Sequence, residues 1–250
     1  MKIIITSGGT SEDIDKVRKI TNKSSGRLGS IIANTFIEKF GQQIETLYYI
    51  CAKNSIKPNQ NKKIKEIYIS SANSLYQTMK TILSTEKIDI VVHSMAVSDY
   101  TVDYVSSSEI FSKKLENKNN SEILSLLNSS SLKVDNSKKL SSGLSDMIIK
   151  LRPTKKIISY IKSWSKKTYL IGFKLLANQS KEELLKVANK LMTKNNCDLV
   201  VANDICDITE NKHIAYIIDN KQNHTIAQNN QEIAEILCKK LKKEIKLWNF

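Results

Sequence analysis

The sequence predicts an α/β protein: a three-layer, Rossmann-like, mostly parallel sheet with helices on both faces and a long lid inserted near the middle. Three observations predict it. Lys2 to Ser7 and Ile88 to His93 are short, β-branched and nearly unbroken in apolar character, as strands covered on both faces are. Between such runs lie segments whose apolar residues recur at helical spacing, and the two kinds alternate along the chain. Four of the seven glycines fall between residues 5 and 29, on the passage from the first strand to the first helix. There, backbone N–H groups and a helix dipole can meet phosphate oxygens.

The elements follow in order. After the first strand, Leu28, Ile31, Ile32, Phe36 and Phe40 mark a helix with Gly41 as its stop signal. Ile44 to Ile50 and Ile64 to Ile69 read as strands. Ala72 to Leu83 is helical through Leu75, Met79, Ile82 and Leu83, with Asn73 or Ser74 as its cap. Ile88 to His93 is a central strand. Residues 101 to 142, rich in Ser, Asn and Lys, are too long for an ordinary connection, and segments of that kind are functional loops or partly disordered. This one follows the turn Ser94 to Tyr100, so it is placed to cover the edge that carries the glycine turns; the bland alternative is a surface excursion. Met147 to Leu151 and Tyr169 to Gly172 flank a helix that begins near Pro153, a residue suited to a first helical turn. Ser180 to Lys194 is a lysine-rich amphipathic helix opened by the capping box Ser180-Lys-Glu-Glu183. Leu199 to Ala202 and Ala215 to Ile218 are strands, and Gln231 to Lys243 is a closing basic helix.

Composition bounds the function. A chain of 250 residues, 40% hydrophobic, can bury a full core as one large α/β domain or two small ones. No stretch approaches roughly 18 consecutive apolar residues, so no membrane span is expected. The N-terminus lacks a basic segment followed by an apolar one, so no secretory signal is expected. Cys51, Cys197, Cys206 and Cys238 show no metal-ligand spacing, and reduced thiols in the cytoplasm are the simplest reading. The net charge of +14 suits small anions such as nucleotide triphosphates. Basic residues are not interleaved with aromatics, so nucleic acid is not the expected partner.

Several residues near strand ends carry candidate chemistry, each beside a plainer role. Arg18 suits a fork-like phosphate contact, and Asn22 can give amide hydrogens to a developing oxyanion; either can instead satisfy loop carbonyls. Asp99 can fix a hydroxyl or a metal, or serve as a turn residue. Phe173 can pack on a base or in the core. Asn203 can bond a ligand or cap a turn. Lys190 and Lys194 share a helix face that can reach a triphosphate or stay solvated.

The run from Thr6 to Gly29, T-S-G-G-T-x-E-x-I-D-x-V-R-x-I-x-N-x-S-S-G-x-x-G, resembles the signature of phosphopantothenoylcysteine synthetase, the phosphopantothenate–cysteine ligase family. Ala96-Val-Ser-Asp99-Tyr100, Ile171-Gly172-Phe173-Lys174 and Asp198 to Asp204 agree in order, so the resemblance spans nearly the whole chain and implies a single domain over 1–250. It implies a ligation in coenzyme A synthesis: 4′-phosphopantothenate and L-cysteine joined through an acyl-nucleotide, with Mg²⁺ and CTP, or ATP, as cosubstrate. By resemblance Gly9, Ser24, Gly26, Gly29, Phe173 and Asn203 contact the nucleotide, and Lys190 and Lys194 its triphosphate. Asn22 holds the acyl intermediate, and Met95, Ala96 and Asp99 line the substrate side. Arg18 reaches phosphopantothenate bound mainly by the partner of a homodimer with shared sites. The chain begins at the synthetase strand, which resembles the stand-alone form without decarboxylase or flavin. In place of the fused bacterial enzymes' Lys-x-Lys-Lys stands Lys139-Leu-Ser-Ser142, so only Lys139 carries over. The family's Lys-Asn-Pro becomes Leu151-Arg152-Pro153. The nearest other readings are a dinucleotide-dependent oxidoreductase and an inert nucleotide-binding module. The first wants G-x-G-x-x-G, whereas sixteen residues separate Gly9 from Gly26 here.

Overall fold

The computed structural model describes residues 1–129, 131–137, 139–140, 146–209 and 212–248, with backbone alone for 246–248. Strand β1 (Lys2–Ser7) runs through a small hairpin, β2 (Ser11–Asp13) and β3 (Lys19–Thr21), into α1 (Arg27–Phe40). Then come β4 (Thr46–Ala52), β5 (Ile64–Ile69), α2 (Ala72–Thr85) and β6 (Ile90–His93). An arm follows: β7 (Tyr100–Ser107), α3 (Ser108–Leu115), α4 (Asn120–Asn128) and β8 (Met147–Pro153). The chain finishes with α5 (Ile158–Trp164), β9 (Tyr169–Leu176), α6 (Lys181–Asn195), β10 (Leu199–Asp204), β11 (Ala215–Asp219), β12 (His224–Ala227) and α7 (Asn230–Trp248).

Eight strands form one sheet in the order β12-β11-β10-β9-β6-β1-β4-β5. β9, β6, β1, β4, β5 and β10 are mutually parallel, while β11 and β12 add an antiparallel edge. This is the expected α/β layering. On one face Ile3, Ile5, Val92, Ile171 and Val201 pack with Phe36 of α1 and Leu237 of α7. On the other, Ile4, Val91, Leu170 and Val200 pack with Leu75 of α2, Ile161 of α5 and Ala188 of α6. Alternate residues of the same strands serve the two faces, which is why those strands read as unbroken apolar runs. Full burial of one such Phe or Ile contributes on the order of 2 kcal/mol.

Several expectations are corrected. Ser71, not Asn73 or Ser74, caps α2: its hydroxyl accepts from the Ser74 N–H, and the Ser74 hydroxyl accepts in return from the Ser71 N–H. The fourth-residue partner of a capping box need not be Glu when a serine hydroxyl reaches. Gly41 ends α1 in ordinary right-handed backbone, so it stops the helix without the left-handed conformation. At α6 the Ser180 hydroxyl accepts from the Glu183 N–H, the first half of the expected box. Pro153 does not begin a helix. It ends β8, paired with Tyr100 in a two-stranded ribbon outside the main sheet, and α5 starts at Ile158. A ribbon strand has an open side that needs no N–H, so proline is tolerated there.

The segment expected to be a lid is largely folded rather than an irregular loop. β7 and β8 pair antiparallel from Tyr100↔Pro153 to Ser107↔Met147, and α3 and α4 fill the excursion between them. Asn119 and Glu122 cap α4 reciprocally. Residues 130, 138 and 141–142 of the expected lid lie outside the described residues.

Candidate functional site

The carboxyl ends of β1, β4 and β6 meet two glycine turns. Gly26 takes a left-handed backbone (φ 79°) that side-chain-bearing residues rarely adopt, and it turns the chain into α1. Its carbonyl accepts from Ser7 Oγ at 3.0 Å, tying the helix start to the end of β1. The Arg27 N–H donates to Ser25 Oγ at 3.3 Å. The amides of Leu28 and Gly29 find no acceptor among the described residues, and no acidic side chain stands in the first turn of α1. Free amides plus the positive end of a helix are what an anion needs. The loop after β4 closes the side: Ile56 N–H donates to the Ser25 carbonyl at 2.8 Å, and the Lys57 ammonium donates to the carbonyls of Ala52, Lys53 and Ser55.

Asn22 stands beside the first turn. Its N–H donates to the Thr10 carbonyl at 3.2 Å. A Cβ on Gly9 would lie 2.5 Å from the Asn22 carbonyl oxygen, so only glycine permits that approach. Gly9 forms a parallel bridge with Ala96, and Ala96 N–H donates to the Gly8 carbonyl at 2.8 Å. Beneath lies a buried hydroxyl pair: Thr10 Oγ1 donates to Ser98 Oγ at 3.0 Å, and the Ser98 N–H donates back to Thr10 Oγ1. Ser98 Oγ reaches Asn22 Oδ1 at 3.4 Å. With its oxygen turned to a hydroxyl, the Asn22 amide nitrogen keeps its hydrogens for a ligand. Ser98 was not singled out from the sequence; its signal was the hydroxyl residue in each of the two matching blocks.

The remaining candidates divide. Met95 is buried in the core on the α2 side, so its backbone alone faces the edge; the Met95 N–H donates to Thr6 Oγ1. Asp99 is exposed and ion-paired with Lys156. Ser24 is exposed beside the turn. Arg18 grips Asp15 with two nitrogens, Nη2 at 2.6 Å and Nε at 3.0 Å from Oδ2. The guanidinium, with three amides of Val17, Arg18 and Leu140, holds the Asp15 carboxyl far below the usual range. The Leu140 N–H donates to Asp15 Oδ2, which sets exposed Lys139 beside the β2–β3 hairpin. Arg152 lies on β8 near Asp103, 3.8 Å away.

On the α1/α7 face, residues of matching parity continue Ser7 across the sheet. Phe173 follows Gly172, which pairs with His93, and it packs half-buried against the α1/α7 core. Asn203, two beyond Val201 on β10, is buried and bonds through Nδ2 to His213 Nε2 at 2.9 Å. From β1 to β10 is three strand spacings, about 14 Å. That row of strand ends is the candidate binding edge. Lys190 and Lys194 depart from expectation. α6 runs back from the carboxyl edge, and the chain leaves it to place Asp198 against the Leu170 N–H at the start of β9. Lys194, in the last turn, is therefore carried toward the opposite edge, and exposed Lys190 sits partway down.

His93, at the end of β6, is buried with Nδ1 3.1 Å from Thr6 Oγ1, and burial pushes its pKa down to about 4. It is a neutral part of the floor. No group of three or more His, Cys, Asp or Glu that could hold a metal occurs among the described residues. No helix among them is long and apolar enough to cross a membrane.

The model of the DNA/pantothenate metabolism flavoprotein C-terminal domain matches residues 1–135 and 130–245. A coenzyme A biosynthesis bifunctional protein CoaBC of Methanocaldococcus jannaschii is 28% identical over 252 residues, covering 98% of this chain and 51% of that protein. The CoaBC protein of Thermococcus kodakarensis is 29% identical over 204 residues, 82% of this chain and 41% of its own length. The chain thus spans about half or less of these curated relatives. The crystal structure of the DNA/pantothenate metabolism flavoprotein from Streptococcus pneumoniae superposes with a TM-score of 0.83 at 35% identity, covering 98% of this chain and 99% of that one.

Proposed function

This chain belongs to the DNA/pantothenate metabolism flavoprotein C-terminal domain family, and on that premise we propose that it condenses 4′-phosphopantothenate with L-cysteine through an acyl-nucleotide. The observation that carries the reading is the Asn22 cluster: an amide with free hydrogens, fixed by Ser98 and the Thr10 carbonyl, beside an anion-ready helix start. The carboxylate of phosphopantothenate attacks the α-phosphorus of the nucleotide, and pyrophosphate leaves. The cysteine amine then attacks the acyl carbon, and the nucleotide monophosphate leaves as the amide forms. Asn22 Nδ2 donates to the oxygen that gains charge in these steps, an interaction worth roughly 10²–10³ in rate at comparable sites.

The amides of Leu28 and Gly29 and the turn at Gly9 and Gly26 receive the phosphates, with Ser24 at their rim. Phe173 and Asn203 take the nucleoside end, while Ala96 and Asp99 border the acid. Mg²⁺ offsets triphosphate charge when bound. With no carboxylate cage among the described residues, it would enter on the triphosphate. CTP is the favoured nucleotide, with ATP the alternative, and no flavin enters the chemistry. We further propose a homodimer in which Arg18 and Lys139 serve the partner's substrate, a cytoplasmic setting, and an arm that shields the intermediate from water.

The test is pyrophosphate release from purified protein with Mg²⁺, 4′-phosphopantothenate and cysteine, run with CTP and ATP in parallel. Release that depends on phosphopantothenate is expected, faster with CTP. No release with either nucleotide would leave an inert nucleotide-binding module.

A further inference from the structure

Asn203, His213 and Asn230 form a hydrogen-bonded row from three separate elements. Asn203 Nδ2 lies 2.9 Å from His213 Nε2, and His213 Nδ1 lies 2.6 Å from Asn230 Oδ1. An amide oxygen can only accept, so His213 Nδ1 carries the proton and donates to Asn230. Nε2 is then bare and accepts from the Asn203 amide nitrogen. Partial burial, which holds the His213 pKa below its ordinary value despite the Asn230 contact, keeps this neutral form in place.

The surrounding backbone holds the ring. Ile208 bridges His213, the His213 N–H donates to the Gln228 carbonyl at 2.8 Å, and Asn230 is the first residue of α7. The row therefore leaves Asn203 a single orientation. Its nitrogen faces His213, while its oxygen accepts no hydrogen bond among the described residues and stays open to solvent. A carbonyl oxygen without a donor repels phosphate and attracts an N–H or O–H.

We propose that His213 is a positioning residue that fixes the Asn203 amide with its oxygen toward this carboxyl edge of the sheet, where it accepts a hydrogen bond from the nucleoside half of the bound nucleotide. The proposal rests on the reading of this edge as a nucleotide site. The donor is either the exocyclic amine shared by cytosine and adenine or a ribose hydroxyl. Both present N–H or O–H to the same oxygen.

The first test needs no substrate. Nitrogen-15 spectra of histidine-labelled protein at neutral pH should show His213 protonated at Nδ1 and bare at Nε2, the minor tautomer of free histidine. An Nε2-protonated or doubly protonated ring overturns the proposal.

The second compares equilibrium binding of CTP and ATP, with Mg²⁺, to the wild type, His213→Leu and His213→Gln. Loss of one fixed hydrogen bond is worth about tenfold in Kd. Leucine should weaken binding by about that factor, while glutamine, which offers a donor and an acceptor on one side chain, should recover most of it. Turnover at saturating nucleotide should change less than binding. Equal weakening by both variants, or no nucleotide binding by the wild type, overturns the proposal. UTP, which has a keto oxygen in place of the amine, and 2′-deoxy-CTP identify the donor: whichever analogue binds His213→Leu and wild type alike lacks it. Wild type that binds nucleotide yet releases no pyrophosphate would sink the ligase reading while leaving His213 testable by these binding ratios.

Discussion

Gly29 lacks a side chain because Ser7 leaves no room for one. A Cβ there would stand 2.6 Å from Ser7 Cβ, and Ser7 is pinned by its bond to the Gly26 carbonyl. Overpacking of this kind costs about 1–3 kcal/mol, less up to about 1 kcal/mol that alanine returns in a helix. Gly29→Ala should therefore lower urea stability, and Ser7→Gly should absorb part of the loss. A double-mutant cycle with a coupling under about 0.5 kcal/mol would show that close approach is not the reason. His93 makes a separate prediction. Its folded pKa of about 4 lies below the unfolded value of about 6.5, so the stability of the neutral ring is complete above the latter. That stability is lost as pH falls through the folded value. Melting temperature should decline between about pH 6.5 and 4, and His93→Gln should flatten that decline; an unchanged slope would place the titration elsewhere.

The arm shows where residue patterns stop being legible. β1, α1, β6 and β10 were readable because burial on both faces leaves continuous apolar runs or a clean helical stripe. β7, α3 and α4 were not, because α3 and α4 have no fully buried residue and β7 carries Asp103, Ser106 and Ser107. Their order comes from strand pairing and from distant contacts, which no local window contains. Thr101 of β7 donates to Glu12 and Tyr104 to the Leu127 carbonyl, and Asp15 makes a further distant contact that joins Arg18 to the Leu140 amide. Asp15→Asn should speed hydrogen exchange at the Leu140 amide by roughly tenfold, the loss of one charge-assisted bond. In the wild type the depressed pKa means this tie is complete above the unfolded carboxylate value, about 3.9. It fails only as pH falls through the lower folded value. A protection factor at Leu140 that already falls near pH 5 would contradict this. The candidate site was legible in the same uneven way. Asn22 and the glycine turns share one sequence block, whereas Ser98 joins that block, and His213 joins Asn203, only through tertiary contact.

At the scale of the whole molecule, neither the strand order nor the reach of one chain toward another can be read from alternation of strands and helices. Arg18 precedes β3, and Asn22 follows it, so the two lie about 13 Å apart along extended backbone. The hairpin thus carries Arg18 away from Asn22 of the same chain, and Val17 beside it is 66% exposed. An apolar side chain presented next to an arginine fork suits a second copy of the chain. If each site takes Asn22 from one subunit and Arg18 from the other, two inactive variants can complement. Arg18→Ala and Asn22→Asp should each release pyrophosphate slowly. Co-refolded in equal amounts, half of the dimers are mixed, and each mixed dimer holds one site with both lesions and one with neither. Activity should then recover to roughly a quarter of the wild type. A mixture no faster than the mean of the two variants would mean that Arg18 serves its own chain, and the hairpin would then have to bend toward its own Asn22.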